Sequence, residues 1–354
     1  MQNRFSERIK INAEILSKIA KIDEFKGIWQ GGMRLSPNIL GHLKRSVIIT
    51  STGASTRIEG AKMSDDEVMR FLRGLNSKTP KNRDEEEVAG YANLTGRIFD
   101  NHRKLKLTEG QILQFHSILL QFSKKDIEHR GKYKMSDNIV VARTDDGQEK
   151  ILFRPTPPYL VKKEMDDALD WAKKEIDKKE LHPILIICNF IFEFLAIHPF
   201  IDGNGRLSRA LTNLLFLQSG YSYIPYVSLE EIIEEDQANY YRSLRETQKN
   251  HKTDKEDISP WLDFMLNALI KQSEKAKNIM NAARPEKLLS EKQSIIYEVF
   301  DHEKEISVSD IDKRLDSKIS KATIKQALSR LTELRLIERI GQGRGARYIK
   351  TSKQ

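Results

Sequence analysis

Apolar residues along this chain recur mostly at helical spacing. Phe5, Ile9, Leu16 and Ile19 fall near one helical face. Ser64-Asp65-Asp66-Glu67 and Thr108-Glu109-Gly110-Gln111 have capping-box spacing ahead of apolar periodic runs, which predicts two helix starts. The most apolar stretch, Ile184 to Ile197, counts 14 residues and is interrupted by Asn189 and Glu193. A bilayer span needs roughly 20, so the stretch predicts a buried helix and no membrane partner. Helices are predicted at about 159–177, 183–197, 206–219, 230–249 and 258–280. Between 138 and 153 the period changes: Ile139-Val140-Val141-Ala142 and Ile151-Leu152-Phe153 flank Asp145-Asp146-Gly147. That predicts a hairpin with an Asp-Gly turn, left through Pro155, Pro157 and Pro158.

The stretch from Ser273 to Glu291, rich in Lys and Asn and containing Arg284-Pro285, reads as a helix end and a linker, placing a boundary near 285. Beyond it come an apolar helix with Ile295, Ile296, Val299 and Phe300, a short helix from Val308 to Leu315, and a third from Ser320 to Leu334. Leu336 to Ile340 and Arg347 to Ile349 then flank the Gly-rich run Gly341 to Gly345. Three helices and a Gly-rich hairpin resemble a winged helix-turn-helix; a helical protein-binding module is the alternative. Charge sharpens the choice. The formal charge is +9, and between Ser317 and Gln354 ten Lys or Arg face two Glu. That asymmetry predicts a C-terminal face for DNA or another polyanion, with Lys321, Lys325 and Arg330 on the third helix and Arg344 and Arg347 on the wing. The division predicted is 1–80, an N-terminal helical region, 81–285, a central domain, and 286–354, the winged helix. With 39% hydrophobic and 31% charged residues, disordered and low-complexity classes are excluded. The single cysteine, Cys188, allows no internal disulfide, and no apolar run marks the first residues, so a cytoplasmic location is expected.

Candidate chemistry is concentrated in His198-Pro199-Phe200-Ile201-Asp202-Gly203-Asn204-Gly205-Arg206-Leu207-Ser208-Arg209. Gly203-Asn204-Gly205 can present successive N–H groups to an anion, reinforced by the positive end of the helix that follows. Arg206 and Arg209, three apart, share a helical face and suit a polyphosphate. Asp202 can hold Mg²⁺ against phosphate oxygens, and His198 can take a proton from an attacking hydroxyl. Singly, a histidine after an apolar helix, a G-x-G turn and an R-x-x-R face are ordinary structural features. Their compression into twelve residues decides for a site. The missing Lys-Ser/Thr after the glycines excludes a Walker A loop, and no strand precedes them as a dinucleotide fold requires.

This segment resembles the Fic motif, H-x-F-x-D-G-N-G-R-x-x-R, at every specified position. The resemblance runs from about Ser55 to Leu266. It implies a mainly α, Fic-type helical bundle whose hairpin is a flap that aligns a target segment. It also implies transfer of AMP from ATP, with Mg²⁺, to a Ser, Thr or Tyr hydroxyl of a target protein, releasing pyrophosphate. His198 would be the general base and Asp202 the metal ligand. Gly203, Asn204 and Gly205 would contact phosphate, and Arg206 and Arg209 would hold the β- and γ-phosphates. Tyr240-Tyr241 followed by Leu244 resembles a pattern near the adenine pocket, with core packing as the alternative.

Far upstream, Ser55-Thr56-Arg57-Ile58-Glu59-Gly60 resembles the family's inhibitory pattern [S/T]-x-x-x-E-[G/N], with an ordinary helix end as the alternative. Ser55, Glu59 and Gly60 are its specified residues, and Glu59 is expected to pair with Arg209. Two other functions stay open: AMP removal with Glu59 orienting a water, and a nucleotide-sensing DNA-binding regulator. Homodimerisation also stays open.

Overall fold

The computed structural model describes residues 2–32, 35, 37–75, 79–143, 149–282, 289–301, 303, 305–334, 336–341 and 346–351. They divide into two compact units: Met1–Gln30 with Ser36–Lys277, and Gly31–Leu35 with Asn278–Gln354. Residues 1–80 are thus not a compact body of their own.

In the first unit, helices α1 (Gln2–Glu7), α2 (Ala13–Gly32), α3 (Pro37–Ile58), α4 (Asp65–Gly74), α5 (Arg83–Asn101) and α6 (Glu109–Leu119) precede a hairpin of β1 (Val140–Arg143) and β2 (Glu149–Phe153). After it come α7 (Pro158–Lys178), α8 (Pro183–Ile197), α9 (Asn204–Gln218), α10 (Leu229–Glu235), α11 (Gln237–Gln248) and α12 (Ser259–Ala282). The centre is α8, buried from Ile184 through Ile197 as its composition predicts. It packs against α7 and α9, while α3 lies against α5 and α10. The hairpin is antiparallel, pairing Val141 with Ile151 and Arg143 with Glu149. Its predicted Asp145-Asp146-Gly147 turn lies outside the described residues.

Local signals held where a cap was complete. Ser64 and Glu67 form the reciprocal capping box of α4. Thr108 accepts from Gln111 N–H, but the Gln111 side chain turns to Gln114 instead. The N-terminal face differs from expectation. The helix breaks after Glu7, and Ile15 and Ile19 face the core while Leu16 is 56% exposed. Arg8 explains the break: fully buried at that point, it pairs with Glu193 at 2.5 Å and Glu256 at 2.9 Å. The helix expected at 230–249 is two, divided at Asp236, whose ψ of 37° leaves the helical region.

The second unit contains α13 (Glu291–Glu298), β3 (Ile306–Ser307), α14 (Val308–Arg314), α15 (Lys321–Glu333), β4 (Ile337–Ile340) and β5 (Arg347–Lys350). Ile296, Phe300, Ile311, Ile324, Leu328, Leu331 and Ile337 are buried together. The sheet order is β3-β5-β4. The two-residue β3 is too short to leave a period in the sequence, yet it completes a winged-helix arrangement.

Candidate active site

Helix α8 ends at His198, in left-handed backbone (φ 51°), and α9 begins at Asn204 after Gly203 at φ 83°. Glycine suits that conformation, and a Cβ on Gly203 would lie 3.1 Å from Leu119 Cδ2. The carbonyls of the turn between them are caught by one segment, 116–138, and by the turn itself. Lys134 N–H donates to Pro199 O at 2.9 Å, and Asn138 Nδ2 donates to Phe200 O at 3.0 Å. Asn204 Nδ2 donates to the same Phe200 oxygen at 2.8 Å, while Asn204 Oδ1 accepts from Phe200 N–H at 3.0 Å. His116 Nδ1 accepts from Gly131 N–H at 2.9 Å, so its proton sits on Nε2 and is donated to Asp202 O at 3.0 Å. The same ring stacks on Phe200, centroids 3.8 Å apart. Phe200 and Gly203 spend their N–H groups on Asn204 Oδ1 and Asp202 Oδ1, so it is the first turn of α9, which no side chain caps, whose N–H groups are placed to meet an anion.

His198 lies under this turn with Nδ1 3.4 Å from Leu195 O. Burial pushes its pKa down to about 4, with Lys134 adding to the effect, so the imidazole is neutral at pH 7. A proton on Nδ1 leaves Nε2 as the base. Burial opposes the Asp202 carboxylate, but Arg206, the Gly203 N–H and Arg83 outweigh it and hold its pKa below the usual range. Asp202 Oδ1 is 2.9 Å from Arg206 Nη2 and 2.6 Å from Gly203 N.

The two motif arginines are nearly inaccessible. Arg209 donates from Nε to Ser55 Oγ at 2.8 Å and from Nη2 to Ser55 O at 2.8 Å and Glu59 Oε1 at 2.9 Å. Glu59 lies over Gly205, where a Cβ would be only 2.1 Å from Oε1. Arg206 Nε and Nη1 and Arg209 Nη1 are buried without a hydrogen-bond partner, a donor set that fits phosphate oxygens. One partly exposed carboxylate beside them, Asp202, suits Mg²⁺, which takes one or two protein carboxylates and completes its shell with substrate oxygens.

Not every expected contact is made as expected. The Asn204 side chain is spent on Phe200, so only its main chain is left for phosphate. Tyr240 is enclosed by Tyr241, Trp261 and Phe264 and offers no exposed face for stacking. Tyr241 OH donates to Ile58 O at 3.2 Å, at the end of α3. Gly60 (φ 101°) ends that helix. Sequence reasoning missed His116, Lys134 and Asn138, whose roles depend on chain crossings that leave no local pattern. It also missed Arg57, which grips Glu234 at 2.6 and 2.8 Å and Asp65 at 2.8 Å beside Glu59.

Elsewhere, Glu193, His251 and Glu256 converge closely enough to hold a cation. Arg4 and Arg8 already neutralise that cluster, so it is an ion-pair node rather than a metal site. In the C-terminal unit the predicted basic face is largely paired. Lys321 lies 3.2 Å from Asp312, Arg330 lies 3.0 Å from Glu333, and Arg347 lies 3.7 Å from Glu305. Arg344 falls outside the described residues. Among the described residues, no helix is long and apolar enough to cross a membrane.

Residues 106–216 match the Fic/DOC family, and residues 289–354 match the penicillinase repressor family. A protein adenylyltransferase of Caenorhabditis elegans is 32% identical over 113 residues, 32% of this chain and 20% of that protein. A probable protein adenylyltransferase of Aquifex aeolicus is 26% identical over 194 residues, 51% of this chain and 52% of that protein. The chain thus spans between about a fifth and a half of these curated relatives. In fold it is similar to a Fic family protein from Desulfovibrio desulfuricans, with TM-score 0.62 and 24% identity over 98% of both chains. A Fic domain protein from Bacteroides thetaiotaomicron gives TM-score 0.61 at 22% identity, covering 75% of this chain and 98% of its own. Motif, geometry and matches together place residues 106–216 in the Fic/DOC family, followed by a winged helix of penicillinase-repressor type.

Proposed function

We propose that this chain is a self-inhibited, Mg²⁺-dependent protein adenylyltransferase that moves AMP from ATP to a Ser, Thr or Tyr hydroxyl of a target protein. The observation that carries the reading is the neutral His198 beside an anion-binding turn whose buried arginine atoms lack partners. The relatives named as protein adenylyltransferases support it.

In the proposed reaction the target hydroxyl oxygen attacks the α-phosphorus, its proton passes to His198 Nε2, and the bond to the β-phosphate breaks to release pyrophosphate. Arg206 and Arg209 hold the β- and γ-phosphates, and the N–H groups of the turn meet charge developing on the transferred group. Mg²⁺, held by Asp202 and phosphate oxygens, would supply charge neutralisation in the transition state. The hairpin β1–β2 would present the target segment as an added strand.

The inhibitory reading rests on Glu59. Its carboxylate takes the Arg209 Nη2 that the γ-phosphate would otherwise engage, so ATP binds with its α-phosphate off the line of attack. We further propose DNA as the partner of the winged helix and the cytoplasm as its compartment. Intact-mass analysis of the purified chain and of a cell lysate incubated with ATP and Mg²⁺ tests the activity. A gain of one AMP on either supports it. No gain, even with Glu59→Gly, would sink it. Loss of AMP from a pre-modified protein would point to removal instead.

A further inference from the structure

Four charged side chains close a ring beside the motif turn. Arg83 Nε is 2.7 Å from Glu87 Oε1, and Glu87 Oε2 is 3.2 Å from Arg206 Nη1. Arg206 Nη2 is 2.9 Å from Asp202 Oδ1, and Asp202 Oδ2 is 3.4 Å from Arg83 Nη2. Two members belong to the motif. The other two, one turn apart at the start of α5, precede the Fic/DOC match and leave no mark beyond an i,i+4 pair on a helix.

Burial grades the ring. The side chains are 1% exposed for Arg206, 9% for Glu87, 32% for Asp202 and 65% for Arg83. A guanidinium this deep needs a counter-charge that stays in place, because stripping one partner from a buried pair leaves an uncompensated charge. Asp202 cannot be that partner throughout the proposed reaction, since it must turn to Mg²⁺ and the phosphates. Glu87 is the carboxylate that remains, anchored from the opposite side by Arg83.

We infer that Glu87 is a positioning residue for the reaction: from α5 its charge, 3.2 Å from Arg206 Nη1 but outside hydrogen-bond geometry, keeps the guanidinium in place, leaving the buried, unpartnered Nε available to the β-phosphate while Asp202 is engaged elsewhere. The inference rests on the proposed role of Arg206 in phosphate binding. Glu87 touches neither nucleotide nor reacting atoms; it acts through Arg206 alone. It also explains a difference between the two motif arginines. The carboxylate on Arg209, Glu59, lies over Gly205 and competes with substrate, whereas the one on Arg206 comes from a helix outside the motif and works with it.

The experiment compares ADP with AMP, which lacks the β-phosphate, by isothermal titration in constant excess Mg²⁺. It uses the full chain as wild type, Glu87→Gln, Glu87→Ala and Glu87→Asp, with thermal melts alongside. Wild type is expected to bind ADP more tightly than AMP. Glu87→Gln and Glu87→Ala should weaken ADP by about tenfold while leaving AMP nearly unchanged. Glu87→Asp, which keeps the charge, should recover part of the loss. Should Glu87→Ala fail to fold, the Gln and Asp variants carry the comparison. Unchanged ADP affinity in Glu87→Gln would overturn the inference and leave the phosphate role of Arg206 standing. ADP and AMP affinities falling together with the melting temperature would overturn it in favour of plain scaffolding. Equal ADP and AMP affinities in wild type would remove Arg206 from the β-phosphate, and this inference with it.

Discussion

Charged residues crowd both the motif turn and the C-terminal winged helix, and they do opposite things there. In the turn, Arg206 and Arg209 are 1% and 4% exposed at the side chain, and each already has a carboxylate in place. In the winged helix, Lys321 and Arg330 keep 65% and 48% of their side chains in solvent while pairing with Asp312 and Glu333. Exposed pairs of that kind are worth roughly 0–1 kcal/mol, whereas breaking a buried pair costs about 3–5 kcal/mol. The lesson is that charge counted along a sequence says little until burial is known. The last 38 residues carry ten Lys or Arg against two Glu, but the whole of 286–354 carries fifteen against eleven acidic residues, and the fold brings the two sets together.

The comparison breaks hardest at His198. His198→Ala should cut transfer by roughly 10²- to 10⁴-fold while ATP still binds, because in the proposed reaction the imidazole acts on the incoming hydroxyl rather than on phosphate. Single-turnover transfer and equilibrium ATP binding, measured on the same preparation, separate the two effects; full activity in a folded mutant removes His198 from the chemistry. Next comes the pair that sits in the site. Glu59→Gly frees Arg209 and should raise self-labelling by at least about tenfold if the block is worth ~1.4 kcal/mol. Arg209→Ala should not reproduce the gain, since it would discard the proposed phosphate grip along with the proposed block. The double mutant should behave as Arg209→Ala alone, as coupled residues do. Equal labelling of wild type and Glu59→Gly would reduce Glu59 to a helix-end residue.

What the sequence made legible in this region, and what it did not, follows the range of the interactions. His198 to Arg209 is contiguous, so its chemistry could be read directly. Glu59 and Arg209, 150 residues apart, were joined only through a family resemblance, and the structure shows them 2.9 Å apart. His116 had no such support: it is one histidine on an apolar helix face, and only the crossing of α6 under the turn gives it Asp202 and Gly131. Glu87 and Arg83 drew no reading at all: in sequence they are an ordinary i,i+4 pair, and only the fold sets Arg206 against them. Elements with strong periods or complete caps, such as α8 and α4, were readable. The break after Glu7 was not, because a long-range ion pair at Arg8 overrode local pattern.

Protonation sharpens the contrast with a smaller effect. Burial pushes His198 down to about 4, and it does the same for His116. An unperturbed imidazole titrates near 6.5, so an exposed base would lose half its activity at about that pH. Here the rate should stay level from pH 8 to about pH 5 and decline below, with an acid limb centred near 6.5 counting against His198 as the base. Stability should respond sooner. Between the unfolded value near 6.5 and the folded value of about 4, the unfolded chain binds more protons at both histidines, so stability falls as pH drops through that window. Denaturant titrations of wild type and His116→Gln at pH 7 and pH 5 check this, the variant showing the smaller loss on acidification.

The smallest effects belong to the exposed side of the comparison. A groove in the C-terminal unit is lined by Lys321, Lys325 and Ser329 of α15, together with Arg339 and Tyr348 of the wing strands. If α15 enters a DNA major groove, each Lys that neutralises a phosphate adds about one to the salt slope of binding. The two lysines should not contribute equally. Lys321 already has Asp312 at 3.2 Å, so its charge is partly spent and that contact must be broken before it meets a phosphate. Lys325 has no ion pair among the described residues and can meet a phosphate without losing one. Lys325→Ala should therefore weaken duplex binding by a few-fold and lower the slope by about one, with Lys321→Ala doing less on both counts. Removing the competing carboxylate with Asp312→Asn should tighten binding slightly and bring Lys321→Ala, made in that background, up to the effect of Lys325→Ala. Fluorescence anisotropy of a labelled duplex with the full chain, at about 50 and 200 mM salt, reads all of these. Equal losses at the two lysines in the wild-type background would show that the surface pair costs nothing to break. An absence of binding even at the lower salt would give the groove to a protein partner instead.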